Sequence, residues 1–190
     1  MTARPGLSTD RVVAAAAELA DQVGFDKVTV SAVARGFGVK DASLYSHVRS
    51  LRELRERVAV LAAEELAGRV GTALMGRSGQ QALTAFAEAY RSFALEHPGR
   101  YRAIEIRLTP ERWAELGGRQ LGVDHTYALL RGYGLTEPAT TDAARFLLAT
   151  LHGYVNLERH GGFDHPRPVP ASWPSALRAL HQTLSTWPTE

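Results

Sequence analysis

Apolar residues recur along this chain at spacings of three and four, the period of helices with one buried face, and no segment alternates as a strand does. Val12, Ala16, Leu19, Ala20 and Val23 form a first stripe, with Ser8 or Thr9 as its N-cap and Gly24 as its stop. Thr29 caps a short second helix in which Val30, Val33, Ala34 and Phe37 share a face, and Gly38 can take the positive φ that ends it. A third short helix is predicted from Asp41 to Val48, with Leu44 and Val48 on one side. Ser50-Leu51-Arg52-Glu53 reads as a capping box, in which serine and glutamate each satisfy a free amide of the first turn. The long helix it opens carries Leu51, Leu54, Val58, Leu61 and Glu65 on one stripe. Gly68, Gly71, Gly76 and Gly79 then crowd the chain, and the domain break is expected there.

Beyond the break, Leu83, Phe86, Ala87, Tyr90, Phe93, Ala94 and His97 make a stripe stopped by Pro98-Gly99. A short helix around 100–108 follows, then one around 112–133 that Gly117-Gly118 can interrupt. Thr136-Glu137-Pro138 opens a helix through Arg159, ended by Gly161-Gly162. Pro166, Pro168 and Pro170 suggest an extended connector. The last helix, from Ser172 to Trp187, spaces Trp173, Leu177, Leu180, Leu184 and Trp187 by 4, 3, 4 and 3. The expected fold is all-α, with about nine helices: a three-helix helix-turn-helix domain over residues 1–68 and a larger helical bundle over 69–190.

Composition narrows the function. The 190 residues include no cysteine, which removes disulfide frameworks and thiolate metal sites and suits a reducing cytoplasm. No apolar run approaches the ~18 residues of a membrane span, and Met1-Thr-Ala-Arg-Pro-Gly-Leu7 lacks the apolar core of a secretory signal. The expected compartment is the cytoplasm, with no membrane partner. A net charge of +2 says little, but its distribution says more. Between Lys27 and Arg57 stand seven cations (Lys27, Arg35, Lys40, Arg49, Arg52, Arg55, Arg57) and three anions (Asp41, Glu53, Glu56). That excess suits a polyanionic partner, although a solvated charged face would show the same count.

The order of elements around residues 29–48 favours the polyanion. Two helices this short cannot bury much against each other, so they need the first helix as a third wall and the helix at Ser50 as a buttress. This is the helix-turn-helix arrangement, whose second short helix enters the major groove. With Leu44 and Val48 inward, Asp41, Ala42, Ser43 and Ser46 face the partner, and their small size lets the backbone approach base edges. Tyr45 and His47, beside cationic Lys40, Arg49 and Arg52, can donate to phosphate oxygens. Thr29 and Ser31 offer hydroxyls and free amides at the start of the second helix, where an anion is favoured. The alternative is a helical interaction module with no DNA role.

The stretch Ser8–Leu66 resembles the TetR-type helix-turn-helix domain. The resemblance rests on Thr29 opening the second helix, Val33-Ala34 within it, Gly38-Val39 at the turn, and above all Leu44-Tyr45-Ser46-His47-Val48. It implies phosphate contacts at Thr29, Tyr45 and His47, and base reading from Lys40 through Ser43 and at Ser46. Lys40 stands where many members carry a small capping hydroxyl, so Asp41 is expected to cap the third helix instead. Leu51 replaces the family's phosphate-contacting lysine, so Arg49 or Arg52 would supply that contact.

The second part resembles a C-terminal class of the same family named for a Trp-His-Gly signature, here Leu151-His152-Gly153 followed by Tyr154-Val-Asn-Leu-Glu158, with Tyr90 to Pro98 matching as well. The resemblance implies an effector-binding, dimerising domain. From the residues, Gly153 in mid-helix costs about 1 kcal/mol relative to Ala and suggests close approach of another helix. A two-fold interface is therefore expected from His152, Gly153, Leu177, Leu180 and Leu184, and a homodimer suits an inverted-repeat operator on double-stranded DNA. Candidate contacts to an unidentified small-molecule effector are Tyr90, Phe93, His97, Tyr101, Ile104 and His125, a set that a monomer core would also explain. No phosphate loop, His-Glu-x-x-His pair or Gly-x-Ser-x-Gly elbow occurs, so neither enzyme chemistry nor a cofactor is expected. His160, Asp164 and His165 sit in a Pro-rich loop and fit capping better than metal ligation.

Overall fold

The computed structural model describes residues 7–118 and 121–188, with backbone alone for 121 and 122. The start of the chain read above for a secretory signal lies outside them, Leu7 apart. Among the described residues every regular element is a helix. Their order is α1 (Thr9–Val23), a 3-10 turn (Phe25–Lys27), α2 (Val30–Phe37), α3 (Asp41–Leu44), α4 (Leu51–Leu74), α5 (Gly79–Glu96), α6 (Pro98–Ala103), α7 (Pro110–Glu115), α8 (Leu121–Arg131), α9 (Ala139–Arg159) and α10 (Val169–Ser185). None is long and apolar enough to cross a membrane.

The caps follow the sequence. Ser8 accepts from the Arg11 amide at 3.3 Å and Thr29 from the Ala32 amide at 3.1 Å, each filling one of the free donors at a helix start. The expected interruption at Gly117-Gly118 separates α7 from α8. Pro170 lies within the first turn of α10, where a missing amide costs nothing, so the expected extended connector ends earlier.

The glycine run does not break α4, which continues unbroken to Leu74. Each helical glycine costs about 1 kcal/mol, but here packing offsets it. Ala67 and Val70 are buried at 3% exposure, and the His125 ring lies 2.8 Å from where a Gly71 side chain would begin.

The chain groups into two compact units, Met1–Glu65 with Glu96–Arg119 and Leu66–Leu95 with Gln120–Glu190. The division expected at 68/69 thus falls at 65/66, and residues 96–119 join the first unit rather than the second. The reason is chemical: Asp21 at the end of α1 accepts from the Gly99 and Arg100 amides, both at 2.9 Å, and meets the Arg100 guanidinium at 3.3 Å. The free amides of α6 are thereby satisfied by α1. The core of the first unit joins Val12, Ala16 and Ala20 to Val33, Ala34, Leu44, Val48, Leu54 and Val58.

The core of the second unit is built from α5, α8, α9 and α10 with the end of α4, and has Leu83, Phe86, Leu130, Leu147 and Leu151 at its centre. Leu177, Leu180 and Leu184 belong to that same core, at 5%, 4% and 1% exposure. The expectation that they form a dimer interface is therefore corrected: the α10 stripe is already buried within its own chain.

Candidate nucleic-acid interface

One turn sets the geometry of the α2–α3 pair. Gly38 takes left-handed φ/ψ of 69°/31°, which an L side chain rarely adopts, and lets the Val39 amide return to the Ala34 carbonyl at 3.1 Å. α3 follows, anchored by Leu44 at 0% exposure and Val48 at 1%. Asp41, Ala42, Ser43, Tyr45 and Ser46 are all exposed on its other side, together with Thr29, Ser31, Lys40, Arg49 and Arg52, while His47 is half-buried. Tyr45 stands out at 52% exposure, high for so large a ring. The structure thus places the predicted DNA-contacting residues on one fold element and its flanks.

α3 is shorter than the sequence suggested. Its α-helix ends at Leu44, and residues 45–47 form a turn in which the His47 amide donates to the Leu44 carbonyl at 2.9 Å. Lys40 provides no side-chain cap, and the Ser46 hydroxyl donates to the Ser43 carbonyl at 2.8 Å, the local bond by which serine competes with helix. Asp41 does not cap α3 as expected either; its carboxylate accepts from the Ser31 hydroxyl, tying the start of α2 to the start of α3. Thr9 adds a second tie, donating to the His47 carbonyl at 3.3 Å.

The cations divide into two groups. Arg55 is structural: it donates to the Asp26 and Val28 carbonyls at 2.8 and 3.1 Å and covers the Phe25 ring. Arg57 pairs with Glu53 at 2.8 Å, and Arg52 with Glu56 at 2.8 Å. The serine half of the capping box forms as expected, with Ser50 accepting from the Glu53 amide, while Glu53 reaches one residue further back and accepts from the Arg49 amide at 3.0 Å. Lys27, Arg35 and Lys40 are exposed and make no side-chain hydrogen bond or ion pair among the described residues. Lys27 and Arg35 entered the sequence reading only as charges; Lys27 closes the 3-10 turn two residues before the Thr29 cap.

Two buried carboxylates stiffen this region. Burial pushes Glu53 up, but the Arg49 amide and the Arg57 guanidinium outweigh it and hold its ionisation below the usual range. Burial likewise raises Glu56, and the guanidinium groups of Arg52 and Arg112 overcome it.

The six effector candidates are divided between the two units. Tyr90, Phe93 and His125 belong to the second unit, where Phe93 is fully buried beneath the Arg69 guanidinium and Tyr90 packs on the core. His97, Tyr101 and Ile104 belong to the first. His97 is engaged there by Asp21 at 3.1 Å and Arg100 at 2.8 Å, and Tyr101 is buried at 2% exposure. Of the dimer candidates, His152 is bonded to Asn156 at 2.8 Å, and a side-chain carbon added at Gly153 would meet nothing of its own chain within 4 Å. The expected close approach at Gly153 is not made within the chain. Among the described residues no group of three potential ligands could hold a metal.

Residues 12–58 match the family described as bacterial regulatory proteins, tetR family, and residues 83–180 match the tetracyclin repressor-like C-terminal domain. The chain is 30% identical over 180 residues to the HTH-type transcriptional regulator YobS of Bacillus subtilis, covering 95% of this chain and 94% of that one. Among solved structures it resembles a single-substitution variant of TetR from Acinetobacter baumannii in complex with minocycline, with a TM-score of 0.71 and 22% identity over 97% of this chain and all of the other. It also resembles BioQ with its double-stranded DNA operator, with a TM-score of 0.66 and 20% identity over 95% and 99% of the two chains. At these identities the two structures speak for the fold alone.

Proposed function

Since the chain belongs to the tetR family of bacterial regulatory proteins, and is a DNA-binding transcriptional regulator rather than an enzyme, we propose that it is a repressor. It binds an inverted-repeat operator as a homodimer and is released by a small, mostly apolar effector. The observation that carries the reading is the exposed α3 face: Ala42, Ser43 and Tyr45 stand free while Leu44 and Val48 lock the element in place. Short side chains admit the backbone to the groove, and exposed Lys40 and Arg49 flank it with charge. Membership of a family of DNA-binding regulators supports duplex DNA as the partner.

Two apolar features support the homodimer. α9 presents Phe146 and Leu157 at 40% and 47% exposure, and Gly153 lies between them on the same face of the helix, with nothing of its own chain within 4 Å of an added side-chain carbon. The effector site is assigned to the second unit, at Tyr90, which packs on the apolar core, and at half-buried His125. The test is a fluorescence anisotropy titration against duplexes from the DNA upstream of the gene, at two salt concentrations, with sedimentation of the complex. Saturable, salt-sensitive binding of two chains to one inverted repeat is the expected result. Binding of a single chain, or binding without preference for an inverted repeat, would overturn the homodimer and operator reading.

A further inference from the structure

The contacts of Glu56 connect a residue outside the helix-turn-helix segment to one of its candidate phosphate contacts. Glu56 is 5% exposed on α4, and its two oxygens go to different arginines. Oε1 accepts from Arg52 Nε at 2.8 Å. Oε2 accepts from Arg112 Nε at 2.8 Å and from a terminal nitrogen of Arg112 at 2.5 Å. Arg52 is therefore held by its inner nitrogen alone, and its side chain is 89% exposed. Its two terminal nitrogens take no part in the grip.

We infer that Arg112 is a positioning residue for DNA binding: by filling Oε2 of Glu56 it restricts Glu56 to a one-nitrogen grip on Arg52 and leaves the terminal nitrogens of Arg52 for a phosphate. The inference rests on the reading, proposed above, that this face binds DNA. A guanidinium and a carboxylate prefer to meet as two parallel hydrogen bonds. With Oε2 vacant, Glu56 would take Arg52 by both its inner and a terminal nitrogen, folding that charge back along α4. Removing Arg112 also leaves a buried carboxylate with one cation in place of two, which strengthens its hold on the remaining one. Arg112 is well placed for the task, since Thr109 caps α7 by accepting from the Arg112 amide at 3.2 Å and Glu115 holds its other terminal nitrogen at 3.0 Å.

The same contacts could do no more than pin α7 to α4, and the salt dependence of binding separates the two roles. The measurement is the slope of log affinity against log salt for the full chain on a mixed-sequence DNA duplex, with helix content and Tm recorded for each variant. Arg52→Ala should lower the slope by about 0.9, the counterion release of one phosphate contact. Arg112→Ala should lower it by the same amount, and the double variant by no more than either. Arg112→Lys should keep the slope, because one ammonium still fills Oε2. Glu56→Gln should restore it in the Arg112→Ala background, because a neutral amide cannot hold Arg52 as an ion pair. If Arg112→Ala leaves the slope unchanged while Arg52→Ala lowers it, Arg112 is only a pin and the inference is wrong. If Arg52→Ala itself leaves the slope unchanged, the phosphate contact is wrong and the inference falls with it.

Discussion

The side-chain carbon that Gly99 lacks would lie 2.1 Å from the carbonyl carbon and oxygen of Ala20. Nothing at that distance can yield, because both sides are backbone. Gly99 is what allows α6 to sit on α1 closely enough for Asp21 to reach the Gly99 and Arg100 amides. Gly99→Ala should therefore destabilise the protein by about 1–3 kcal/mol or more, the usual cost of forcing volume into a filled contact. Asp21→Ala removes an acceptor with charge and leaves two amides unanswered, and should cost about 2–3 kcal/mol. Urea unfolding of both variants checks this; a Gly99→Ala protein as stable as the parent would mean that α6 does not close on α1.

The fold class, the caps at Ser8 and Thr29 and the Gly38 turn were legible because each is a local matter of spacing and backbone chemistry. The α1–α6 junction was not. Its signal is one aspartate and one glycine separated by 78 residues, and the stripe ending at His97 looked like a ligand wall because aromatic and imidazole groups fit either use. α10 misled for a related reason: Leu177, Leu180 and Leu184 give the same period whether the covering surface is the chain itself or a copy. Arg112 carried no signal at all, since its partner on α4 is 56 residues away.

Acid should weaken the first unit through Glu53 and Glu56. Both ionise below the ordinary value of 4.5 in the folded chain, where burial opposes the charge and the neighbouring arginines prevail. The unfolded chain then binds protons more readily than the folded one. The stabilisation is fully present above about pH 4.5 and is lost as pH falls through the lower folded values. Denaturation curves between neutral pH and pH 3 should show a smaller acid loss in Glu53→Gln than in the parent. An equal loss would show that other carboxylates carry the acid sensitivity.

Gly153 offers a clean test of the proposed dimer. A leucine there meets nothing in its own chain within 4 Å of its first carbon, and replacing a helical glycine favours the helix by up to about 1 kcal/mol. Gly153→Leu should thus fold at least as well as the parent while driving apart any partner helix laid against α9. Sedimentation should shift toward monomer with helix content unchanged. A dimer that persists would place the interface away from Gly153.

Positioning and reading should separate within and around α3. The Ser43 hydroxyl makes no hydrogen bond among the described residues, whereas Ser46 donates to the Ser43 carbonyl and Asp41 accepts from Ser31. Ser43 is therefore the residue freest to meet a base edge, and Ser46 and Asp41 contribute mainly to the shape of the element. Ser43→Ala should cost about 1–3 kcal/mol on the operator and almost nothing on a scrambled duplex. Tyr45→Phe removes a neutral donor to phosphate, so it should weaken both duplexes alike without changing the salt slope, since no counterion is involved. Lys40→Ala should lower that slope by about 0.9 on either duplex if its ammonium neutralises one phosphate. Ser46→Ala should be intermediate, losing affinity on both duplexes through the turn it stabilises. If Ser43→Ala loses as much on scrambled DNA as on the operator, α3 is not the reading element and the base contacts must be sought on its flanks.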